Sequence, residues 1–310
     1  MAETLYLDQN AWVSLARGAW DKASYPKDHK RLVKVVEALQ QNRFVVPLSF
    51  ANIYETSKIN DPARRANMAR TQVTISQGQV FRGRRRILGE TLALYLADKF
   101  SIVHAPPEEH WFLSDLWFEA LADYSPETFG FSLSDAALDH MHSYPARVLF
   151  DYLTSNDEDV RLEGVRRFSA SSADLVMGIE ARRAIVASEP LALRKRAYGA
   201  RLIIDELDFV LATGRSLGLD WNGFTDIGSS LVRSILGDVP ILATERELAI
   251  RLEDLARPIE ENDLRDMSAF TTVLSLADVV IGEKTFVNLA RQACLDKAYG
   301  TRLLTSIDEL

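Results

Sequence analysis

Four acidic residues of this sequence stand near short apolar runs, at places where they could act together. Asp8 directly follows the run TLYL, and Glu283 directly follows the run VVIG. Glu55 lies in the helical segment after the run FVVP, and Asp266 lies in the first turn of a helical segment that leads into VVIG. Catalytic side chains of a parallel sheet gather at the carboxyl ends of its strands. We therefore expect these four acids to meet at one edge of a sheet.

A cluster of carboxylates needs a neutralising cation, because neighbouring negative charges repel one another. Oxygen ligands without a cysteine or a nearby histidine pair favour a hard ion, so we expect Mg²⁺ or Mn²⁺ as the cofactor. Such an ion lowers the pKa of a bound water and stabilises charge on a phosphate. Asn10, two residues after Asp8, would orient a ligand carboxylate or the attacking water. These residue types predict the hydrolysis of a phosphodiester.

Each acid also has a purely structural interpretation, which stays open at this stage. Asp8 and Glu283 can each cap the helix that follows them. Asp266 can complete a capping box with Asp263, and Glu55 can lie on a solvated helix face. The predicted position of all four acids at one edge of a sheet favours a shared site, because four unrelated structural roles would not require a common edge.

The elements that must position these acids alternate between strand-like and helical segments. Short apolar runs predict strands at 4–7, 43–49, 278–283 and 301–306. The order of strand, helix, strand and helix favours a parallel α/β sheet. Asp278 is expected at the opposite edge of that sheet, because it lies at the amino end of its strand. The segment VPILATERELAIRLEDLA is compatible with either a strand or a helix.

These elements divide the chain into a core built from both ends and a region between them. Residues 1–60 and 239–310 carry the predicted strands and form the expected core. Residues 61–238 carry helical patterns almost throughout, so we expect a large, mostly helical insertion or accessory region. That region could hold a regulatory protein partner, form a homodimer or gate the site.

Composition narrows the class of protein. The 310 residues are 47 % hydrophobic, which is enough for a sizeable core. The formal net charge of −8 requires any nucleic-acid contact to come from a local basic patch. The single cysteine, Cys294, excludes a disulfide framework and a cysteine-based zinc site. Because no signal-like or bilayer-spanning apolar segment is found, we expect a cytoplasmic protein without membrane contact.

A local basic patch of this kind lies between residues 62 and 89, where the sequence has seven arginines and no acid. Arginine binds phosphate bidentately, and contacts to the phosphate backbone dominate nucleic-acid affinity. Given the phosphodiester chemistry predicted above, we expect this segment to form a path for a nucleic acid, with RNA favoured if the protein is a nuclease. The alternative is a solvated helix face whose arginines pair with acids elsewhere. The seven residues are Arg64, Arg65, Arg70, Arg82, Arg84, Arg85 and Arg86.

Four stretches of the sequence resemble, in order, the acidic motifs of the PIN-like nuclease superfamily: LYLDQNAW, VVPLSFANIYET, NDLRDMSAF and ADVVIGEKTF. The resemblance implies a Rossmann-like, three-layer α/β/α core with a parallel sheet. By matching motif, the first to fourth acids of the family correspond to Asp8, Glu55, Asp266 and Glu283. Asp263 is a second candidate for the third acid. Asp266 is preferred because its interval to Glu283 is close to that of the family.

The same resemblance implies a metal-dependent nuclease. Members of the superfamily bind divalent metal through three or four acids and cleave RNA, or structured DNA in the flap-nuclease relatives. For this chain it implies an endoribonuclease that is toxin-like, defensive or RNA-processing, with DNA as another possible substrate. Two features depart from the family pattern: the fourth acid is Glu283 after Gly282 rather than an aspartate in a T-x-D setting, and compact members are about half as long.

Two other functions remain open. A phosphatase of the haloacid dehalogenase type would use a nucleophilic aspartate and a second acid two residues later, but Asn10 holds that second place here. A catalytically degenerate PIN-like fold would serve as an RNA-binding or assembly module. The four acids argue against this module, because an unused acidic cluster is electrostatically costly.

Overall fold

The computed structural model describes residues 2–155, 157–159, 161, 175–185 and 188–310. The strands within these ranges are β1 (Glu3–Leu7), β2 (Phe44–Val45), β3 (Val80–Phe81), β4 (Leu113–Ser114), β5 (Val279–Ile281) and β6 (Arg302–Leu304). Four of them form a parallel sheet in the order β2–β1–β5–β6, and β3 pairs with β4 in antiparallel fashion. The prediction of a parallel α/β sheet is confirmed, and its four strands come from residues 3–45 and 279–304.

Helices make up most of the other described residues. The first eight are α1 (Gln9–Trp20), α2 (Pro26–Gln40), α3 (Phe50–Ser57), α4 (Pro62–Ser76), α5 (Arg84–Phe100), α6 (Pro126–Phe129), α7 (Asp135–Ser143) and α8 (Pro145–Leu153). Residues 175–185 are also helical. The later ones are α9 (Leu191–Ser216), α10 (Phe224–Asp238), α11 (Pro240–Glu253), α12 (Glu261–Val273), α13 (Lys284–Gln292) and α14 (Leu295–Tyr299).

Helices cover both faces of the four-stranded sheet. Successive side chains of a strand point to opposite faces, so Leu5 and Leu7 of β1 lie on one side and Tyr6 lies on the other. The two leucines pack into a core with α1, α2, α4 and α8. Tyr6 packs into a second core with α11, α12 and α13. This arrangement is compatible with a three-layer α/β/α fold.

The central helical region contributes to the sheet core and also builds a core of its own. Helix α4 packs on α1, where Nε1 of Trp20 donates hydrogen bonds to the carbonyl oxygen of Asn67 (3.1 Å) and to Oγ1 of Thr71 (3.2 Å). A third apolar core joins α5, α9 and α10 to the start of α11.

Within the described ranges no single helix is long and apolar enough to cross a membrane. Only the pair α10 and α11, bent by 79°, meets that length and composition together.

The structure corrects one sequence prediction and decides one interpretation that was left open. The strand expected at 43–49 is only two residues long, because Pro47 has no N–H group to continue the ladder. Leu48 then forms an isolated parallel bridge to Val80, which connects the sheet edge to β3. The ambiguous segment VPILATERELAIRLEDLA contains helix α11, whose first residue is Pro240. Proline is favoured at that position, because its fixed φ suits a helix start and its missing N–H would be unpaired there anyway.

Gly282, directly after β5, sets how closely α12 approaches the sheet. A Cβ added at this position would lie 2.5 Å from Cζ of Phe270, whose side chain is fully buried. The ring cannot move into solvent, so the extra methyl group would force α12 away from β5. We expect Gly282→Ala to lower the free energy of unfolding by about 1–3 kcal/mol, measured by urea denaturation.

Gly237→Ala in α10 is the matched control. A Cβ at Gly237 meets no heavy atom within 4 Å, and the residue lies inside a helix. Alanine there should leave the stability unchanged or raise it by up to about 1 kcal/mol. A similar loss of stability in both variants would contradict the close packing of Phe270 against Gly282.

Candidate active site

The pairing of β1 with β5 places Asp8 and Glu283 beside each other at the carboxyl edge of the sheet. Leu7 is in register with Ile281, and the backbone N–H of Asp8 donates to the carbonyl oxygen of Ile281 over 2.9 Å. Asp8 also caps α1, since its Oδ1 accepts a hydrogen bond from the backbone N–H of Ala11 (2.8 Å). Asp8 is therefore the N-cap of α1, as its position in the sequence allowed. It also lies at the same sheet edge as Glu283.

Glu283 stands at the cap position of α13 but does not cap that helix with its side chain. Its carboxylate instead accepts a hydrogen bond from Oγ1 of Thr285 (3.2 Å) and lies beside Asp266. The side chain is exposed, so it reaches into solvent at the sheet edge. The structural interpretation of Glu283 as a helix cap is therefore wrong for its side chain.

Asp266 and Asp263 occupy different environments on α12. The capping box of this helix pairs Glu260 with Asp263, so Asp266 is not a capping residue. Both oxygens of Asp263 are bound by Arg257, each over 2.6 Å, and the side chain is buried. Asp263, the second candidate for the third acid, is thus engaged in a structural ion pair, whereas Asp266 faces Glu283.

Two of the acids at the sheet edge, Asp8 and Asp266, hold protons more tightly than isolated aspartates. Burial, the hydrogen bond to Glu283 and the negative charges of Glu283 and Asp8 raise the pKa of Asp266 to about 8, although Arg265 opposes the shift. Burial raises the pKa of Asp8 to about 6; the backbone N–H of Ala11 opposes this shift and the charge of Glu283 adds to it. These surroundings favour the protonated form of Asp266, whose side chain is hydrogen-bonded to that of Glu283.

Glu55 reaches the same region from α3 but is paired with a cation of the protein. The amide of Asn52 orients α3, since its Nδ2 donates to the carbonyl oxygen of Leu7 (3.3 Å) at the end of β1. The carboxylate of Glu55 forms an ion pair with Nε of Arg265, and Nη1 of Arg265 also binds Glu261 (2.6 Å). Glu55 is therefore near the other acids but already neutralised.

Two adjoining cavities connect the four acids. One, of about 160 Å³, is lined by Glu55, Asp266, Glu283 and Asn10. The other, of about 280 Å³, shares Asn10 and Glu283 with the first and is lined by Asp8. Asn10 is exposed at their junction, in the place where the sequence predicted a polar group near the acids.

The donor set has the chemistry of a hard-cation site, because its ligands are all carboxylate or amide oxygens. Burial is the largest cause of the raised pKa values of Asp8 and Asp266, and the charge of Glu283 adds to both shifts. Among the described residues, however, no group of three or more His, Cys, Asp or Glu side chains is spaced to hold a metal ion. These carboxylates would have to move closer together around a bound ion.

The seven arginines at 64–86 do not form one open basic surface. Five of them pair with carboxylates: Arg65 with Glu158, Arg82 with Glu119 and Asp123, Arg84 with Glu206 and Glu245, Arg85 with Glu206, and Arg86 with Glu90 and Asp123. Arg70 lies over the rings of Trp20 and Phe150, and Arg64 is exposed. Pairing with acids elsewhere in the chain was the alternative interpretation of this patch.

Two of these arginines nevertheless lie near the acids. A cavity of about 190 Å³ shares Ala51 and Arg265 with the cavity of Glu55 and Asp266, and it is lined by Arg82 and Arg84. Cationic side chains therefore border the acidic site on the side of α3 and α12.

Sequence reasoning missed Tyr6 and Arg265. Tyr6 is buried, and burial together with the charges of Asp8 and Asp266 raises the pKa of its phenol. The sequence contained a signal for Tyr6, because tyrosine carries a hydroxyl group and this one lies in a predicted buried strand. It stands two residues before Asp8, and side chains two residues apart in a strand point to the same side. The signal for Arg265 was its position next to Asp266 in the motif NDLRDM.

Comparisons with protein-family models, with curated proteins and with solved structures each found no match to this chain. The chemistry of the site is therefore inferred from its own geometry. Carboxylates from three distant segments, a neighbouring amide and flanking arginines are suited to a divalent cation and an anionic substrate.

The raised pKa of Asp266 predicts a specific pH dependence of stability. Its ordinary pKa is 3.8 and its value here is about 8, so the folded state keeps a proton that the unfolded state loses as the pH rises between those values. The free energy of unfolding contributed by this group falls over that range. Without divalent metal, we expect Asp266→Asn to be more stable than the wild type by roughly 1–3 kcal/mol at pH 8, and by much less at pH 4.

The measurement is urea denaturation from pH 4 to pH 8 in EDTA, with the difference between variant and wild type plotted against pH. Glu37→Gln, which removes an exposed carboxylate from α2, controls for the change in net charge. A difference for Asp266→Asn that stays constant with pH would show that Asp266 does not hold its proton more tightly in the folded state.

Proposed function

We propose that this protein is a metal-dependent nuclease with a PIN-like core that hydrolyses phosphodiester bonds of RNA. The observation that carries the proposal is the meeting of Asp8, Asp266 and Glu283 at one sheet edge, with the pKa values of Asp8 and Asp266 raised. Uncompensated acids are costly to the folded state, and strongly perturbed carboxyl groups concentrate at functional sites. A divalent cation would relieve this cost.

The residues fall into separate roles in this proposal. Asp8, Asp266 and Glu283 would hold Mg²⁺ or Mn²⁺ through carboxylate oxygens. When bound, the ion supplies an activated water and stabilises negative charge on the phosphate. Asn10, exposed where the two cavities join, would position a water or a phosphate oxygen through its amide. Glu55 orients Arg265 toward the cavity through their ion pair.

RNA would approach over the cavity that Arg82 and Arg84 share with Arg265. These arginines are already paired with carboxylates, so a phosphate would replace an internal anion rather than meet an unpaired charge. Arginine suits such an exchange, because its planar guanidinium binds carboxylate and phosphate with the same fork geometry. DNA offers the same phosphate, so substrate selection is part of the test below.

A binding module without catalysis is the second candidate function. The spacing of the carboxylates in the described residues and the pairing of Glu55 with Arg265 favour it, because both leave the acids without a ready-made metal position. Such a module would bind RNA equally well with and without divalent metal, and it would be insensitive to Asp8→Asn.

The decisive assay incubates the purified protein with single-stranded and structured RNAs, and in parallel with DNA, in Mg²⁺, Mn²⁺ or EDTA. We expect cleavage of RNA that requires metal. Asp8→Asn should lower the cleavage rate by at least about 10²-fold. Loss of a residue that only hydrogen-bonds a metal ligand can already lower activity by that factor, and loss of the ligand itself should cost at least as much. Asparagine is also a good helix cap, so this variant should fold normally by circular dichroism.

Asp278→Asn is the matched control. Asp278 lies at the amino end of β5, at the opposite edge of the sheet, and its Oδ2 accepts a hydrogen bond from the backbone N–H of Thr4 (2.7 Å). Asparagine keeps an acceptor there, so cleavage should stay within about twofold of the wild type. Cleavage that survives in folded Asp8→Asn, or that continues in EDTA, would overturn the proposed metal site.

A further inference from the structure

An open groove of about 470 Å³ runs between α9 and α10, and none of the acids described above lines it. We call it the α9–α10 groove and define it by Arg196, Ala200, Ile204, Ser229, Val232 and Arg233. Its walls are two helices of the third apolar core, away from the sheet. The function proposed above does not use this surface.

The shape of the groove matches the side of a third helix. Its α9 wall consists of residues at positions 196, 199, 200, 203 and 204, which recur at intervals of three and four and so form one stripe. Its α10 wall repeats this spacing from Ser229 to Leu236. Gly199 has no side chain and Ala200 has a small one, so the α9 wall is shallow at these positions. The side chains of another helix can therefore pack between the two walls.

The groove is apolar and open. Ile204 is 66 % exposed and Phe224, at the α10 end, is 44 % exposed. A small-molecule site usually encloses most of its ligand. Large aliphatic and aromatic side chains left this exposed along a trough are instead typical of a surface that a polypeptide covers.

The charges around the groove are positive, although the whole chain has a formal net charge of −8. No acid lines the groove, and neither Arg196 nor Arg233 has an ion-pair partner within the part of the chain that the structure describes. Lys195 and Arg246 both bind Glu247, over 2.8 and 3.3 Å, and Arg251 binds the same carboxylate over 2.5 Å. One carboxylate thus compensates three cations.

Arg246 also lines the groove and adds its charge to the positive rim. Its Nε atom is buried and has no hydrogen-bond partner among the described residues.

We propose that the α9–α10 groove binds an acidic amphipathic helix of a partner protein. The apolar stripe of that helix would lie on Ala200, Ile204 and Val232, and its Asp or Glu side chains would meet Arg196 and Arg233. Complementary charge speeds the encounter and selects the partner, while apolar contact supplies most of the affinity. The interaction is independent of nuclease activity.

The first experiment selects binders from a displayed library of helical peptides, using the full-length protein. The library fixes leucine at positions i, i+3, i+4 and i+7, and lets the flanking positions be Glu, Gln or Lys. We expect the wild type to enrich Glu at the flanking positions. The double variant Arg196→Glu/Arg233→Glu should enrich Lys instead, because the sign of the rim is reversed. Equal enrichment of Glu, Gln and Lys would overturn the proposal.

The second experiment measures the Kd of a selected acidic peptide by fluorescence anisotropy. Arg196→Glu/Arg233→Glu and Ile204→Ser should each weaken binding at least about tenfold. All three side chains are exposed, so the variants should fold normally. Arg147→Glu/Arg302→Glu is the control, because these exposed arginines lie outside the groove and their reversal should leave the Kd within about twofold.

Two further readouts test the identity of the occupant. The first readout is sedimentation of the protein alone. Self-association that is abolished by Arg196→Glu/Arg233→Glu would overturn the proposal in favour of a second copy of this chain. Direct binding of dodecanoate, without binding of any acidic peptide, would overturn it in favour of an acyl anion. The expected result is a monomer in sedimentation and a peptide that dodecanoate does not displace.

Discussion

The rest of the site depends on the parallel pairing of β1 with β5. This pairing joins the two ends of the chain and sets the register of Leu7 against Ile281. A shift of one residue would turn Tyr6 toward the opposite core and would separate Asp8 from Glu283. The backbone hydrogen bond from Asp8 to Ile281 therefore holds both the fold and the first acid in place.

Placing these carboxyl groups close together costs electrostatic free energy, and three features of the structure lower that cost. Burial and the neighbouring acids favour a proton on Asp266, Asp8 accepts backbone N–H groups of α1, and Glu55 is neutralised by Arg265. Each of these contacts involves neighbouring groups only. In the proposed function, a divalent cation would take the place of the proton on Asp266.

Much of this arrangement was predictable because it depends on periodicity and on strand ends. Asp8 and Glu283 follow buried strands of one parallel sheet, so their proximity follows from topology. The partners of Arg65, Arg82 and Arg84 were not predictable, because Glu158, Glu119 and Glu206 are brought near only by tertiary packing. The same is true of Glu55, whose partner Arg265 lies more than 200 residues along the chain. Ion pairs leave no periodic signature in a sequence, whereas helix faces and strand ends do.

The central place of β1 also has a consequence for the order in which the protein is made. The amide of Thr4 binds Asp278, a residue 274 positions later, so one side of β1 stays unpaired until translation has nearly reached β6. Contacts of such long range form late and slowly. During synthesis Asp8 has neither Asp266 nor Glu283 beside it, and the acidic site does not exist on the nascent chain. The proposed nuclease activity would therefore be absent until β5 has been translated, while the open edge of β1 remains a template for incorrect strand pairing.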